Sequence, residues 1–296
     1  MDVSPTRQPV LAISSNKGGV GKTTVATNLA IYLRALHEDL GVLLVGLDDQ
    51  SIIDRMFRLS PRLPGELNLK HGWAQRNLAP VLQLGQYGIT FVPTPPDTGP
   101  LKTRATDPMT LRHILDRTAF QGLTILDTKS DLEMLTQNAL AAADLVILPI
   151  SDWASFEEAE KAFALLRRQP AGERRGRVLF TLVDRRTRVD RQGRDLYERL
   201  ARATDERGWP HFQGFLSRSP RVEALNSASG TPGSILHHAR GTAVHRQMRE
   251  LAEEVTKLLT LGNPGPVTRP PERPVRATTG LGAGLKRALL KGLGSR

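Results

Sequence analysis

Residues 9–24 read Pro9-Val10-Leu11-Ala12-Ile13-Ser14-Ser15-Asn16-Lys17-Gly18-Gly19-Val20-Gly21-Lys22-Thr23-Thr24, and Val25-Ala26-Thr27-Asn28-Leu29-Ala30-Ile31-Tyr32-Leu33 follows. An apolar run of strand length passes through a glycine-rich loop into a helical pattern. Gly18, Gly19 and Gly21 let the backbone turn tightly with its N–H groups aimed at phosphate oxygens, and the helix N-terminus adds its dipole. Lys22 is the cation for the β- and γ-phosphates, and the Thr23 hydroxyl is a ligand for Mg²⁺. Lys17, Gly18, Gly19, Val20, Gly21, Lys22, Thr23 and Thr24 are therefore the candidate nucleotide-binding segment. The general phosphate-loop pattern places Gly at position 16, where this chain has Asn16, and does not require Lys17.

Outward from this loop, apolar runs of strand length alternate with helical patterns. The runs are 9–14, 42–47, 89–93, 123–127, 145–150, 178–183 and 211–216; the helical patterns are 22–36, 51–57, 109–115, 132–142, 155–167, 193–206 and about 241–261. Runs of Val, Ile and Leu without polar alternation belong to strands covered on both faces. The predicted fold is α/β, a mainly parallel β-sheet sandwiched by helices, with ligands beyond the carboxyl ends of the strands. Residues 262–280 carry five Pro and no apolar period. The expected organisation is a nucleotide-binding domain over 1–261, an extended linker over 262–280 and a basic amphipathic tail over 281–296.

The 296 residues contain no Cys, which excludes disulfides, thiolate metal sites and a cysteine nucleophile. No apolar stretch is long enough to span a bilayer, and the N-terminus MDVSPTRQP has neither a basic nor an apolar leader region, so a cytoplasmic protein is expected. The formal charge is +11 and is local. Residues 262–296 hold seven Lys or Arg against one acid, and residues 167–221 hold fifteen Arg against seven acids. Such blocks favour a polyanionic partner, nucleic acid or an anionic lipid surface.

The two lysines of KGGVGKTT resemble the deviant Walker A motif of the ParA/MinD family of dimeric P-loop ATPases. Residues 41–50, GVLLVGLDDQ, are similar to the family's VLLIDLDPQ; Leu126-Asp127-Thr128-Lys129-Ser130 is similar to its IDTPPS; residues 135–144, LTQNALAAAD, are close to LTLNALAAAD. The resemblance covers roughly residues 8–261 in the same order. It implies an ATP- and Mg²⁺-dependent sandwich dimer in which Lys17 reaches the partner's phosphates while Lys22 serves its own nucleotide. It further implies that Asp127 holds Mg²⁺ and that Asp48 lies near Mg²⁺ and orients the attacking water, with Thr23 completing the metal set. Asp184 is the candidate adenine contact. The chain departs from the family pattern at Gly46, where an Asp is frequent, at Asp49 in place of Pro, and at Lys129 in place of the first Pro of DTPPS.

The resemblance implies a ParA-like ATPase that dimerises on ATP, binds DNA without sequence preference, and hydrolyses ATP when a ParB-like partner stimulates it, so segregating or positioning a cargo. Arg174, Arg175, Arg177, Arg185, Arg186, Arg188, Arg218 and Arg221 are the candidate DNA contacts, because phosphate binding needs cations and no base readout. Such a protein is nucleoid-associated. The alternative is a MinD-like, membrane-cycling ATPase. In the tail, Leu281, Leu285, Ala288, Leu289 and Leu293 share one face at helical spacing, with Arg287 and Lys291 opposite, as in a peripheral membrane anchor. A third class is a metabolic or metal-related relative of the same fold: electron carriers and metalloid pumps, which rely on cysteines, are disfavoured because the chain has none, whereas small-molecule ligases also use a phosphate loop and are set apart by whether ATP hydrolysis needs a metabolite.

Overall fold

The computed structural model describes residues 8–49, 52–169, 172–186, 193–227 and 233–261. The linker and tail expected over 262–296, and Arg188, lie outside the described residues. Eight strands are described: β1 (Val10–Ile13), β2 (Val42–Gly46), β3 (Gln83–Leu84), β4 (Thr90–Val92), β5 (Leu123–Asp127), β6 (Leu145–Ile150), β7 (Gly176–Val183) and β8 (His211–Ser217). The helices are α1 (Lys22–Leu36), α2 (Ile52–Phe57), α3 (Leu69–Ala74), α4 (Gly99–Arg104), α5 (Thr110–Thr118), α6 (Met134–Ala142), α7 (Trp153–Arg167), α8 (Gly172–Arg175), α9 (Leu196–Glu206), α10 (Pro220–Ser227), α11 (Ile235–His238) and α12 (Ala243–Leu258).

The sheet order is β3-β4-β2-β5-β1-β6-β7-β8, and every pairing is parallel except the β3–β4 edge. All seven predicted strands are present. Their alternate residues feed two cores: Leu11 and Ile13 pack with α1, α2, α11 and α12, while Val10 and Ala12 pack with α3 to α7 and α9. Burial on both faces explains why the strands lack polar alternation. The two-residue β3 and the helices α3, α4, α8, α10 and α11, each eight residues or shorter, are additions to the sequence pattern.

Two helix starts differ from expectation for the same reason. Asp152 caps α7 by accepting from Ser155 N at 2.8 Å, and Asp195 caps α9 by accepting from Glu198 N at 2.8 Å. Each cap has the reciprocal bond from position N3, so the helix begins directly after the acid. The sequence pattern had begun α7 two residues late and α9 three residues early.

Candidate nucleotide-binding site

The loop between β1 and α1 lies at the carboxyl end of the central strands. β1 is flanked by β5 and β6, and Ser14 N extends the sheet by donating to Ile147 O at 3.0 Å. Gly19 and Gly21 have φ of 77° and 92°, the left-handed region where a side chain would be strained. Gly21 is also the N-cap of α1, and it supplies no side-chain cap. The first N–H groups of α1 are thus left for a ligand, which is the arrangement that favours an anion.

Lys22 is buried, and its Nζ donates to Lys17 O at 3.1 Å and to Ser130 Oγ at 2.6 Å. Burial lowers its pKa, while Asp127, Asp48 and Asp131 act in the opposite direction. Asp127 ends β5 and is wholly buried; burial pushes its pKa up to about 7 against the pull of the Thr23 hydroxyl and Lys22. Asp127 Oδ1 has no hydrogen-bond partner among the described residues. A buried, unsatisfied carboxylate oxygen beside a hydroxyl is a donor set suited to a hydrated hard cation. Burial also raises the pKa of Asp48, whose Oδ1 accepts from Asp49 N at 2.7 Å. Thr23, Asp48 and Asp127 line one small cavity with Gly46 and Thr94. The three candidate metal residues, remote in sequence, are therefore brought together. A Cβ at Gly46 would lie 2.9 Å from Ile53 Cδ1, so the acid frequent in the resembled pattern would need that side chain to move.

Lys17 points elsewhere. Its Nζ bonds Asp152 Oδ2 at 2.6 Å, with both side chains about one-third exposed (34% and 40%). The cap of α7 therefore serves twice, binding the helix start and the second loop lysine. Asn16 reaches Glu158 on the same helix. On the other side, Thr181 of β7 donates to Val20 O at 2.8 Å. Ser130, Asp152, Glu158 and Thr181 were not singled out from the sequence. Only Asp152 had a local signal, its capping box with Ser155.

Asp184, the candidate adenine contact, follows β7 at the same end of the sheet as the loop, and its carboxylate is taken by Arg186 through Nε at 2.8 Å and the terminal nitrogen at 2.6 Å. That guanidinium holds Asp184 well below the usual carboxylate range. The candidate DNA arginines split into two groups. Arg174, Arg175 and Arg177 lie at the amino end of β7, whereas Arg185, Arg186, Arg218 and Arg221 follow the carboxyl ends of β7 and β8. The length of β7 puts roughly 25 Å between them. Arg175 donates to Ala143 O and Gln169, and Arg177 donates to His211 O, so both tie elements together. Arg185 pairs with Asp195 and Glu198, and Arg218 with Glu223. Arg174 and Arg221 are exposed.

A glycine-rich loop between a central parallel strand and an uncapped helix, with carboxylates on the neighbouring strand ends, defines a P-loop nucleotide-binding domain. Residues 11–231 match the CobQ/CobB/MinD/ParA nucleotide-binding domain, and the chain belongs to that family. It is 35% identical over 251 residues to the chromosome-partitioning ATPase Soj of Thermus thermophilus, covering 83% of this chain and 94% of Soj. Against the chromosome partitioning protein ParA of Caulobacter vibrioides it is 29% identical, over 65% of this chain and 75% of ParA. Its fold matches cobyrinic acid a,c-diamide synthase of Mycobacterium smegmatis, solved with bound ADP and magnesium, with a TM-score of 0.67, 21% identity, and coverage of 89% and 100% of the two chains. No helix among the described residues is long and apolar enough to cross a membrane.

Proposed function

We propose that this chain is a Mg²⁺-dependent ATPase of the partition and positioning type. In this reading it dimerises on ATP, binds duplex DNA without sequence preference, and hydrolyses ATP when a ParB-like partner protein engages it. The observation that carries the reading is the second loop lysine. Lys22 alone completes a phosphate loop, and Lys17 is a further cation whose ammonium pairs with Asp152 at the start of α7. The 35% identity to a partition ATPase over most of both chains supports the same conclusion.

The residues present fit the ligands. The backbone from Lys17 to Thr24 would cradle the phosphates, with Lys22 neutralising the terminal groups. Thr23 and Asp127 would hold Mg²⁺, and Asp48 would orient the attacking water. Bound Mg²⁺ supplies charge neutralisation on the terminal phosphoryl group. Lys17, once released from Asp152, would reach the phosphates of a second copy, so that hydrolysis requires two subunits.

That release can be tested directly. Asp152→Asn keeps the helix cap but removes the charge pair with Lys17. Because the pair is partly exposed, stability should change by less than about 1 kcal/mol. ATP-dependent self-association, followed by sedimentation, should then set in at lower protein concentration. Unchanged association would show that the Asp152 contact does not restrain Lys17.

Binding of full-length protein to nonspecific duplex DNA with ATP, ADP or no nucleotide, over a salt series, tests the reading as a whole. ATP-dependent binding whose log affinity falls linearly with log salt concentration is expected. Arg218→Ala with Arg221→Ala should lower affinity roughly tenfold and reduce the salt slope by about two, because that end of the sheet carries the nucleotide loop. Absence of ATP-dependent DNA binding would overturn the DNA-partition reading and make liposomes the surface to examine.

A further inference from the structure

We propose that Asp49 and Lys129 are a matched positioning pair for Asp48, an assignment that rests on the ATPase reading above. These are two of the three positions at which the chain departs from the pattern it resembles, and in both the usual residue is Pro. They are 80 residues apart in sequence, yet Lys129 Nζ lies 3.4 Å from both carboxylate oxygens of Asp49.

The sheet explains the meeting. Gly46 and Asp127 are register partners at the ends of the parallel strands β2 and β5, and Leu47 N donates to Asp127 O at 2.8 Å. The loops that leave these strands therefore start side by side. The β5 loop is itself anchored, because Thr128 Oγ1 donates to Ile13 O at 3.0 Å on the strand that feeds the phosphate loop. Lys129 thus stands on a fixed base and holds the Asp49 side chain from it.

The backbone of Asp49 does the positioning. Its N–H donates to Asp48 Oδ1 at 2.7 Å. A proline at position 49 would have no N–H to give. The chain therefore runs from Lys129 to the Asp49 carboxylate, and from the Asp49 amide to the carboxylate assigned to orient water. A proline restricts the backbone of its loop covalently; here an ion pair across two loops takes over that restriction and adds a hydrogen bond. Asp49 touches Asp48, Lys129 touches Asp49, and both act through Asp48.

The side chains of the pair are 39% and 35% exposed, so the contact adds little to stability and its effect is to be read in turnover. Full-length Asp49→Ala, Lys129→Ala and the double variant should each lower kcat roughly fivefold, the double no further than either single, with ATP affinity and melting temperature unchanged. Lys129→Arg should restore kcat. Multiplicative losses in the double variant, or a loss confined to ATP affinity, would overturn the assignment. A second readout is independent of turnover: the NMR order parameter of the Asp49 amide should fall in Lys129→Ala without nucleotide. If the parent chain hydrolyses no ATP under any stimulation, the ATPase reading fails, and the order parameter still decides whether the tether exists. An unchanged order parameter would refute it.

Discussion

Without nucleotide at pH 8, the Asp127→Asn variant is expected to be more stable than the parent chain, while its Mg²⁺-dependent ATP hydrolysis falls roughly 10²- to 10³-fold. Asp127 is wholly buried, with its pKa raised from 3.8 to about 7. An acid whose folded pKa exceeds its unfolded value costs nothing below the unfolded value. The cost grows between the two values and is complete above the folded one. Over about three units it reaches about 4 kcal/mol. The parent should therefore lose stability from this group between about pH 4 and pH 7, and the Asn variant should lack that slope. Denaturant unfolding at pH 5 and pH 8 measures it. Parallel stabilities in the two proteins would mean that Asp127 is not strained by its burial. The carboxylate whose burial costs the fold is the one proposed to hold Mg²⁺, so on that reading stability and catalysis pull this residue in opposite directions.

The two loop lysines should fail in different ways. Lys22→Ala removes the buried cation that faces Ser130 and the Asp127 side of the site, and is expected to weaken both ATP and ADP binding by roughly a hundredfold or more. Lys17→Ala removes a partly exposed group that touches no phosphate-loop hydroxyl or carboxylate, its partner being Asp152. Monomer affinity for ADP should stay within about threefold, while ATP-dependent dimerisation disappears and stimulated hydrolysis falls roughly 10³-fold, the scale of a cation supplied in trans. Fluorescent-nucleotide titration and sedimentation separate the two. Should Lys17→Ala abolish ADP binding as Lys22→Ala does, Lys17 would serve its own nucleotide.

The central strands were legible because burial on both faces removes polar residues, leaving runs such as 42–47 and 145–150 with nothing to mimic them. The phosphate loop was legible because its spacing is local. Partnerships across the fold were not. Lys17 with Asp152 and Lys129 with Asp49 join positions 135 and 80 residues apart, and only the strand order makes them neighbours. The arginine block shows the reverse error. Residues 174 to 186 are continuous in sequence, but an eight-residue strand runs through them and carries its cations to opposite ends. Among these arginines, Arg175 and Arg177 also spend their donors on backbone carbonyls, which a charge count cannot reveal.

The uncapped start of α1 has a consequence for the protein's lifetime. Most helices here that follow a polar side chain are closed by it, as α7 is by Asp152 and α12 by Thr242, whereas α1 begins at a left-handed glycine and leaves its opening turn to be completed from outside. A ligand that completes it binds only the native chain, and at a hundred times its dissociation constant such a ligand adds about 2.7 kcal/mol to folding. The nucleotide supply of the cell then enters the folding equilibrium itself. A cell depleted of nucleotide would hold more of this chain in the opened form that proteases cut, and its abundance would follow the nucleotide pool without any change in synthesis.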